Sequence, residues 1–467
     1  MTRTVNCPQG VGRAVPAAKA TTATLSGKWN TRNGWVARFP QLKLRPLRSV
    51  EICFLLSLAL ASSFANAAEI NRPDLPPQAQ VVRALDEHLL VLNAVRGLKL
   101  EQANQHKWNN GNYEFNLRAG SSQRNLVNTG QKLKEWDVAL ERPLRWFNKV
   151  GIDQDIGTAS VQRAEFTLGD AHHEAGRLLL KSWFNWQREQ ATATLWQQQV
   201  DILRQQTQMT EKRVKAGDAP KLELNQSQAA AAQASVSWHQ AQLRTLLAGN
   251  NLTRPFPAIQ LPDNLQPAIP LSIEHDLAFW KARIFDDNHE LGMAQAQSEV
   301  QHLLAQRSRA DQIPDPTVGL RYSNEMGGNE KVAGIFLMVP LSVGHRSSTA
   351  DGVEQQALMA ADQEAFVKRR LEGDVYAAYL QAVKSFETWQ QAHEAAHAIR
   401  TNAELVSRAY TLGECSLSDS LSARRIALES ALTETLSQLD ANEARYRLLL
   451  DAHQLWSQDE EHTHEMR

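Results

Sequence analysis

The chain has 467 residues, with 50 Lys plus Arg against 51 Asp plus Glu and a formal net charge of −1. That balance weighs against a general nucleic-acid binder, which carries a basic excess, and 23 glycines with 17 prolines are too few for a collagen-like or low-complexity chain. A mean hydropathy of −0.43 excludes a polytopic α-helical membrane protein but not a β-barrel, whose alternating strands leave little hydropathy signal.

Residues 1–67 read as an N-terminal extension and signal peptide. An apolar run at 54–64 follows Arg45 and Arg48 and precedes the small-x-small sequence Ala65, Asn66, Ala67. The first 50 residues hold nine Lys/Arg and no acid, which points to a true translation start near 47–50 and a mature start near Ala68. Cleavage leaves Cys415 as the only cysteine, so the exported fold needs no disulfide. Cys53 lacks the context of a lipid-anchored cysteine.

The remainder reads as a tandem repeat: residues 68–253, a Pro-rich linker at 254–271, residues 272–455, and an acidic, histidine-bearing tail at 456–467. Pro143 and Pro340 are 197 residues apart, and Gly217 and Gly413 are 196 apart. Landmarks held at one offset mark duplication. Each repeat carries two strand candidates, at about 112–122 and 134–143 and at about 316–323 and 332–341. Leu117 and Ala119, Trp136 to Leu140, Val318 to Tyr322 and Ala333 to Leu341 supply alternating apolar rows. Phe336 and Met338, in the opposite row of the last strand, are less polar than a wide lumen prefers. Polar stretches at 121–134 and 324–331 read as the connecting loops. Past Pro143 no proline occurs before Pro220, and one helix over about 155–216 is expected. Past Gly217, Leu222, Ala229, Val236 and Leu243 recur every seven residues; past Gly413, Leu421, Leu428, Leu432, Leu439, Tyr446 and Leu450 follow spacings of seven and four. Both predict coiled-coil-like seams. Four strands cannot close a barrel, and open edges in lipid are costly. The strands therefore need other copies of the chain.

This pattern resembles the TolC-like outer-membrane efflux family. The resemblance is carried by the duplicated helix–strand–strand–helix–helix order, the Pro143 and Pro340 strand–helix junctions, and the hairpin tips running from Arg213 to Gly217 and from Arg408 to Gly413. It covers about residues 80–455. It implies a mainly α protein with a membrane β-barrel portion, in which a homotrimer forms a 12-stranded barrel continued as a 12-helix periplasmic tunnel. It implies an outer-membrane exit duct of a tripartite efflux or type I secretion system, partnered by a periplasmic adaptor and an inner-membrane pump. No enzyme activity, cofactor or nucleic acid is implied. The tail, with Asp459 to His464, inclines the resemblance toward the heavy-metal (CzcC-like) branch.

The tip residues fit a duct. Gly217 and Gly413 suit a left-handed reversal. Asp218, Glu223, Glu414 and Asp419 either ring the opening or cap and charge the following helices. Arg213 and Arg408 suit either adaptor docking or a solvated helix end. Pro220 suits a helix first turn. His393, Glu394 and His397 match the zinc-protease pattern H-E-x-x-H, but Arg400 and Ala403 stand where an extended motif needs Gly and His. A zinc hydrolase and a periplasmic coiled-coil scaffold or adaptor without a barrel are the competing readings.

Overall fold

The computed structural model describes residues 72–456 apart from 264, 266, 342 and 343. The expected signal peptide, the start near Ala68 and the tail residues Asp459 to His464 lie outside the described residues. In chain order the elements are α1 (Gln78–Asp86), α2 (Leu89–Asn110), β1 (Asn116–Asn125), β2 (Lys132–Pro143), α3 (Phe147–Lys215) and α4 (Lys221–Thr253). Then come α5 (Leu277–Asp286), α6 (His289–Ala310), β3 (Thr317–Glu325), β4 (Glu330–Met338), α7 (Gly344–Leu412) and α8 (Leu417–Asp451). Helices α2 and α6 each have 22 residues, α3 and α7 each have 69, and α4 and α8 have 33 and 35. At 1.5 Å per residue α3 and α7 are each about 100 Å long. Among the described residues no helix is long and apolar enough to cross a membrane.

The strands form one antiparallel sheet in the order β1-β2-β3-β4. Register aligns the apolar rows on one face: Leu117, Leu140, Leu320 and Ile335 are successive partners, as are Ala119, Val138, Tyr322 and Ala333. The opposite face carries Arg118, Ala139, Arg321 and Gly334 in one row and Gly120, Asp137, Ser323 and Val332 in the next. The Phe336 ring fills the space a side chain at Gly319 would take, so its apolar surface covers backbone on that mixed face.

The strand limits differ from those expected. β1 starts at Asn116 because residues 112–115 are spent on the junction: Tyr113 donates its hydroxyl to Asp315 at 2.9 Å, and Arg142 donates to the Tyr113 carbonyl at 2.9 Å. The polar stretch 121–134 is mostly strand, leaving 126–131 as the loop. Polar residues there pair across the ladder, Arg124 with Glu135 at 2.7 Å among them. β4 ends at Met338, ahead of Pro340, which has no N–H to donate to a ladder. Helix α3 starts eight residues before the expected 155.

Strands and helices form a layer four elements wide throughout. Below the sheet the helices run α2-α3-α6-α7, and lower still α4-α3-α8-α7. One edge is thus β1, α2 and α4; the other is β4 and α7. Short helices α1 and α5 and the Pro-rich linker lie against one face of the layer. They bury Val81, Leu85, Phe256, Trp280 and Ile284 with Leu179, Trp183 and Phe184 of α3, each large side chain contributing about 1.5–3 kcal/mol. Asp74 is fully buried there. Its carboxylate accepts from the Tyr446 hydroxyl at 2.8 Å, its carbonyl accepts from Trp183 and Gln187 at 2.8 Å each, and burial pushes its pKa up.

One expected seam is corrected. Leu222, Val236 and Leu243 are 64%, 50% and 57% exposed. The buried row of α4 is Ser227, Ala234, Ala241 and Ala248, again seven residues apart. Small residues let α4 lie close to Val200 and Leu203 of α3, and the bulkier row is left at the layer edge. In α8 most of the expected row is buried, with Leu428, Leu439, Tyr446 and Leu450 at 8% exposure or less and Leu421 and Leu432 half-buried, because α3 and α7 flank it on both sides.

Candidate functional site: the two hairpin tips

Both long helices end in the same backbone motif. At the first tip the Gly217 N–H donates to the Val214 carbonyl at 3.1 Å and the Asp218 N–H to Arg213 at 2.9 Å. At the second the Gly413 N–H donates to Tyr410 at 3.1 Å and the Glu414 N–H to Ala409 at 3.0 Å. These paired bonds are a Schellman closure, which needs a left-handed residue at the glycine position. Gly217 has φ +81° and Gly413 φ +82°. No atom lies within 4 Å of where a Cβ would sit at either glycine, so backbone strain alone selects glycine there.

The following helices are entered differently. Ser416 caps α8, its hydroxyl accepting from the Asp419 N–H at 3.2 Å, while the Asp419 carboxylate accepts from the Ser416 N–H at 3.2 Å. Asp419 is therefore occupied in a capping box, worth about 1 kcal/mol. Pro220 takes the N-cap position of α4, one residue ahead of the first turn, with no side-chain cap. Glu223, in the first turn of α4, accepts a 2.9 Å hydrogen bond from the Tyr410 hydroxyl of the other hairpin.

Tyr410 joins the two tips, and sequence reasoning left it without a role. It is 5% exposed, and the Arg213 guanidinium lies 5.3 Å above its ring. Burial and the Glu223 carboxylate push its pKa up. Arg213 in turn pairs with Asp218 at 3.1 Å, which raises the pKa of the guanidinium. Arg213, Asp218, Glu223 and Tyr410 thus make one chain of contacts that joins the two tips. An aromatic three residues ahead of the tip glycine, one turn back on the helix, is the only signal that pointed to it.

Glu414 and Arg408 are exposed, and no ion pair joins either to another described residue. The acids of the first tip sit among Lys212, Arg213, Lys215 and Lys221, and Lys215 pairs with Glu211 at 2.7 Å. Cations in a last helical turn complement the helix dipole, so this tip is not strongly acidic. Pro143 ends β2 opposite Thr317, and the Leu144 N–H donates to Pro316 at 2.7 Å. Pro340 is exposed in the connection from β4 to α7. His393 bonds to Glu434 at 2.6 Å, and Arg400 pairs with the same carboxylate at 3.1 Å. Among the described residues no group of three or more His, Cys, Asp or Glu is placed to hold a metal ion.

Residues 112–255 match the family profile described as Outer membrane efflux protein. The described fold matches the Campylobacter jejuni CmeC outer membrane channel at TM-score 0.67 and 14% identity, over 83% of this chain and 88% of that one. It matches the outer-membrane channel OprN at TM-score 0.65 and 14% identity, over 81% and 90%. The open-state Neisseria gonorrhoeae MtrE outer membrane channel matches at TM-score 0.54 and 17% identity, over 80% and 88%. No curated protein matches the chain by sequence. The resemblance to the outer-membrane efflux family therefore holds by sequence over residues 112–255 and by fold over most of the chain, and the likeness is to channels, not enzymes.

Proposed function

We propose that this chain, with the sequence signature of an outer-membrane efflux protein and the fold of an outer-membrane channel, is the passive exit duct of a tripartite efflux system. Three copies close a twelve-stranded barrel and continue it as a twelve-helix periplasmic tunnel. The observation that carries this reading is the sheet. One face is apolar across all four strands, and among the described residues β1 and β4 leave their outer edges unpaired. In lipid such edges cost several kcal/mol per unpaired group, and pairing β4 of one copy with β1 of the next removes them. The two helices at the edges of the layer also carry exposed apolar residues, Leu222, Val236 and Leu243 on α4 and Leu358, Met359 and Phe366 on α7.

Transport through such a duct is driven by an inner-membrane pump and coupled through a periplasmic adaptor. The tips are the moving part: opening separates Tyr410 from Glu223 and Arg213 while the two Schellman closures stay intact. The acid that remains for a ring at the mouth is Glu414, since Asp419 caps its helix, Glu223 holds Tyr410 and Asp218 pairs with Arg213.

The test is native mass and conductance of protein extracted from outer membranes. A detergent-dependent trimer that conducts in planar bilayers is expected. A monomer released by salt washing overturns the reading in favour of a periplasmic scaffold.

A further inference from the structure

The Pro-rich linker roofs a hollow of 290 Å³ between α3 and α8, close in size to the smaller ligand pockets, which start at about 300 Å³. Both helices stand in the middle of the layer, so association through its edges leaves the hollow open. The roof is fixed on either side. Upstream, the Leu261 side chain lies 3.0 Å from where a Cβ would sit at Gly249, so glycine lets the linker rest against α4. Downstream, Gln438 of α8 donates to the Pro267 and Ala268 carbonyls at 3.2 and 3.0 Å, and Asn442 donates to Ala268 at 2.8 Å. Between these anchors Asp263 and Leu265 line the hollow.

The walls are rich in amides. Gln187, Gln190 and Gln198 come from α3, and Thr435 and Gln438 from α8. Among the described residues nothing hydrogen-bonds to the side chains of Gln190, Gln198, Thr435 or Asp263. Gln187 is 4% exposed. Its amide nitrogen donates to the Asp74 carbonyl at 2.8 Å, and its oxygen is buried without a partner among the described residues. A buried acceptor in that state is costly, and a bound donor relieves it.

This lining selects its ligand. Amide and hydroxyl side chains each donate and accept, so they match groups that do both, alcohols above all. Asp263 is the one charged residue of the described lining, and it is exposed. An anion would enter with no opposite charge and a cation with only a solvent-screened one. Trp186 and Pro267 add apolar surface for the C–H face of a ring. We propose that this hollow binds one ring of a neutral saccharide, its hydroxyls on Gln190, Gln198 and Thr435 and its C–H face toward Trp186. The hollow is complete within one copy, so the proposal stands apart from the duct reading.

Full-length protein in a polyoxyethylene detergent, which carries no sugar headgroup, is titrated calorimetrically at about pH 6. The probes are N-acetylglucosamine, its linked trisaccharide chitotriose, cationic glucosamine and anionic glucuronate. N-acetylglucosamine is expected to bind once per copy, indifferently to salt, and about tenfold or more tightly than either charged sugar. Gln190→Ala removes no hydrogen bond between described side chains and is expected to weaken binding about tenfold. Thr194→Trp fills the hollow from an exposed position of α3 and is expected to abolish binding. Gln197→Ala, exposed and outside the lining, is expected to change nothing. If Thr194→Trp fails to fold, Gln190→Ala decides alone. No binding, a charged sugar bound as tightly as the neutral one, or binding that ignores the lining variants overturns the proposal. Chitotriose separates two sources of the same ring. Tighter binding than the single sugar supports a glycan strand as the ligand, and equal binding supports a free sugar.

Discussion

The hairpin α3/α4 and the hairpin α7/α8 are near copies in length, yet they stand in different places. Helix α8 lies between α3 and α7, whereas α4 has α3 on one side and the layer edge on the other. In α8 the leucine row is buried; in α4 an alanine row is buried and the leucine row faces out. Duplication fixes which elements form, and position in the layer fixes which face of each element is used.

Matched truncations break or sharpen that contrast most strongly. Leu439 in α8 is fully buried, and Leu439→Ala should cost about 2–5 kcal/mol in denaturant unfolding. Leu243→Ala should cost well under about 1 kcal/mol within one copy, while Leu243→Asp should abolish the detergent-stable trimer. Equal unfolding costs for the two alanine variants would erase the distinction.

Acid should act on the α8 side next. His173 of α3 bonds to the Leu450 carbonyl at 3.1 Å, and burial lowers its pKa to about 3. The folded state thus favours the neutral ring. Its stabilisation is complete above the unfolded value of 6.5 and is lost as pH falls from there toward about 3, at about 1.4 kcal/mol per unit. Melting curves between pH 7 and 5 should show this slope in wild type and a flatter one in His173→Leu.

Smaller effects belong to the tips, where the hairpins are alike. Tyr410→Phe removes the hydroxyl that bonds Glu223 and Thr210 and should cost about 1 kcal/mol, read as faster amide exchange around both tips. It should also raise bilayer conductance. Gly217→Ala and Gly413→Ala should each cost about 1 kcal/mol and by the same amount, since both glycines hold the same φ in open space. A marked inequality between them would mean that one tip carries contacts the other lacks.

Much of this was legible in the sequence because the signals are local. Alternation gave the face of each strand, and the register then aligned Leu117 with Leu140, Leu320 and Ile335. Glycine chemistry gave both tip reversals. What depended on neighbours was hidden. Either heptad row of α4 could form a seam, and only the closeness of α3 favours the small one. Polarity at 121–134 suggested a loop because cross-strand pairs such as Arg124 with Glu135 cannot be seen from one strand. The partnership of Tyr410 with Glu223 spans 187 residues, and no local spacing encodes it.

The joint between β2 and β3 is an antiparallel pairing between the two halves of one chain. In a closed trimer the joint between β4 and the next copy's β1 has the same form. Counted in halves, the ring then has six members of two alternating kinds. A partner that reads only the glycine-closed tips would find six seats, and one that reads the Tyr410–Glu223 contact between them would find three. Stoichiometry at saturation therefore reports which feature a partner recognises, before any interface is mapped.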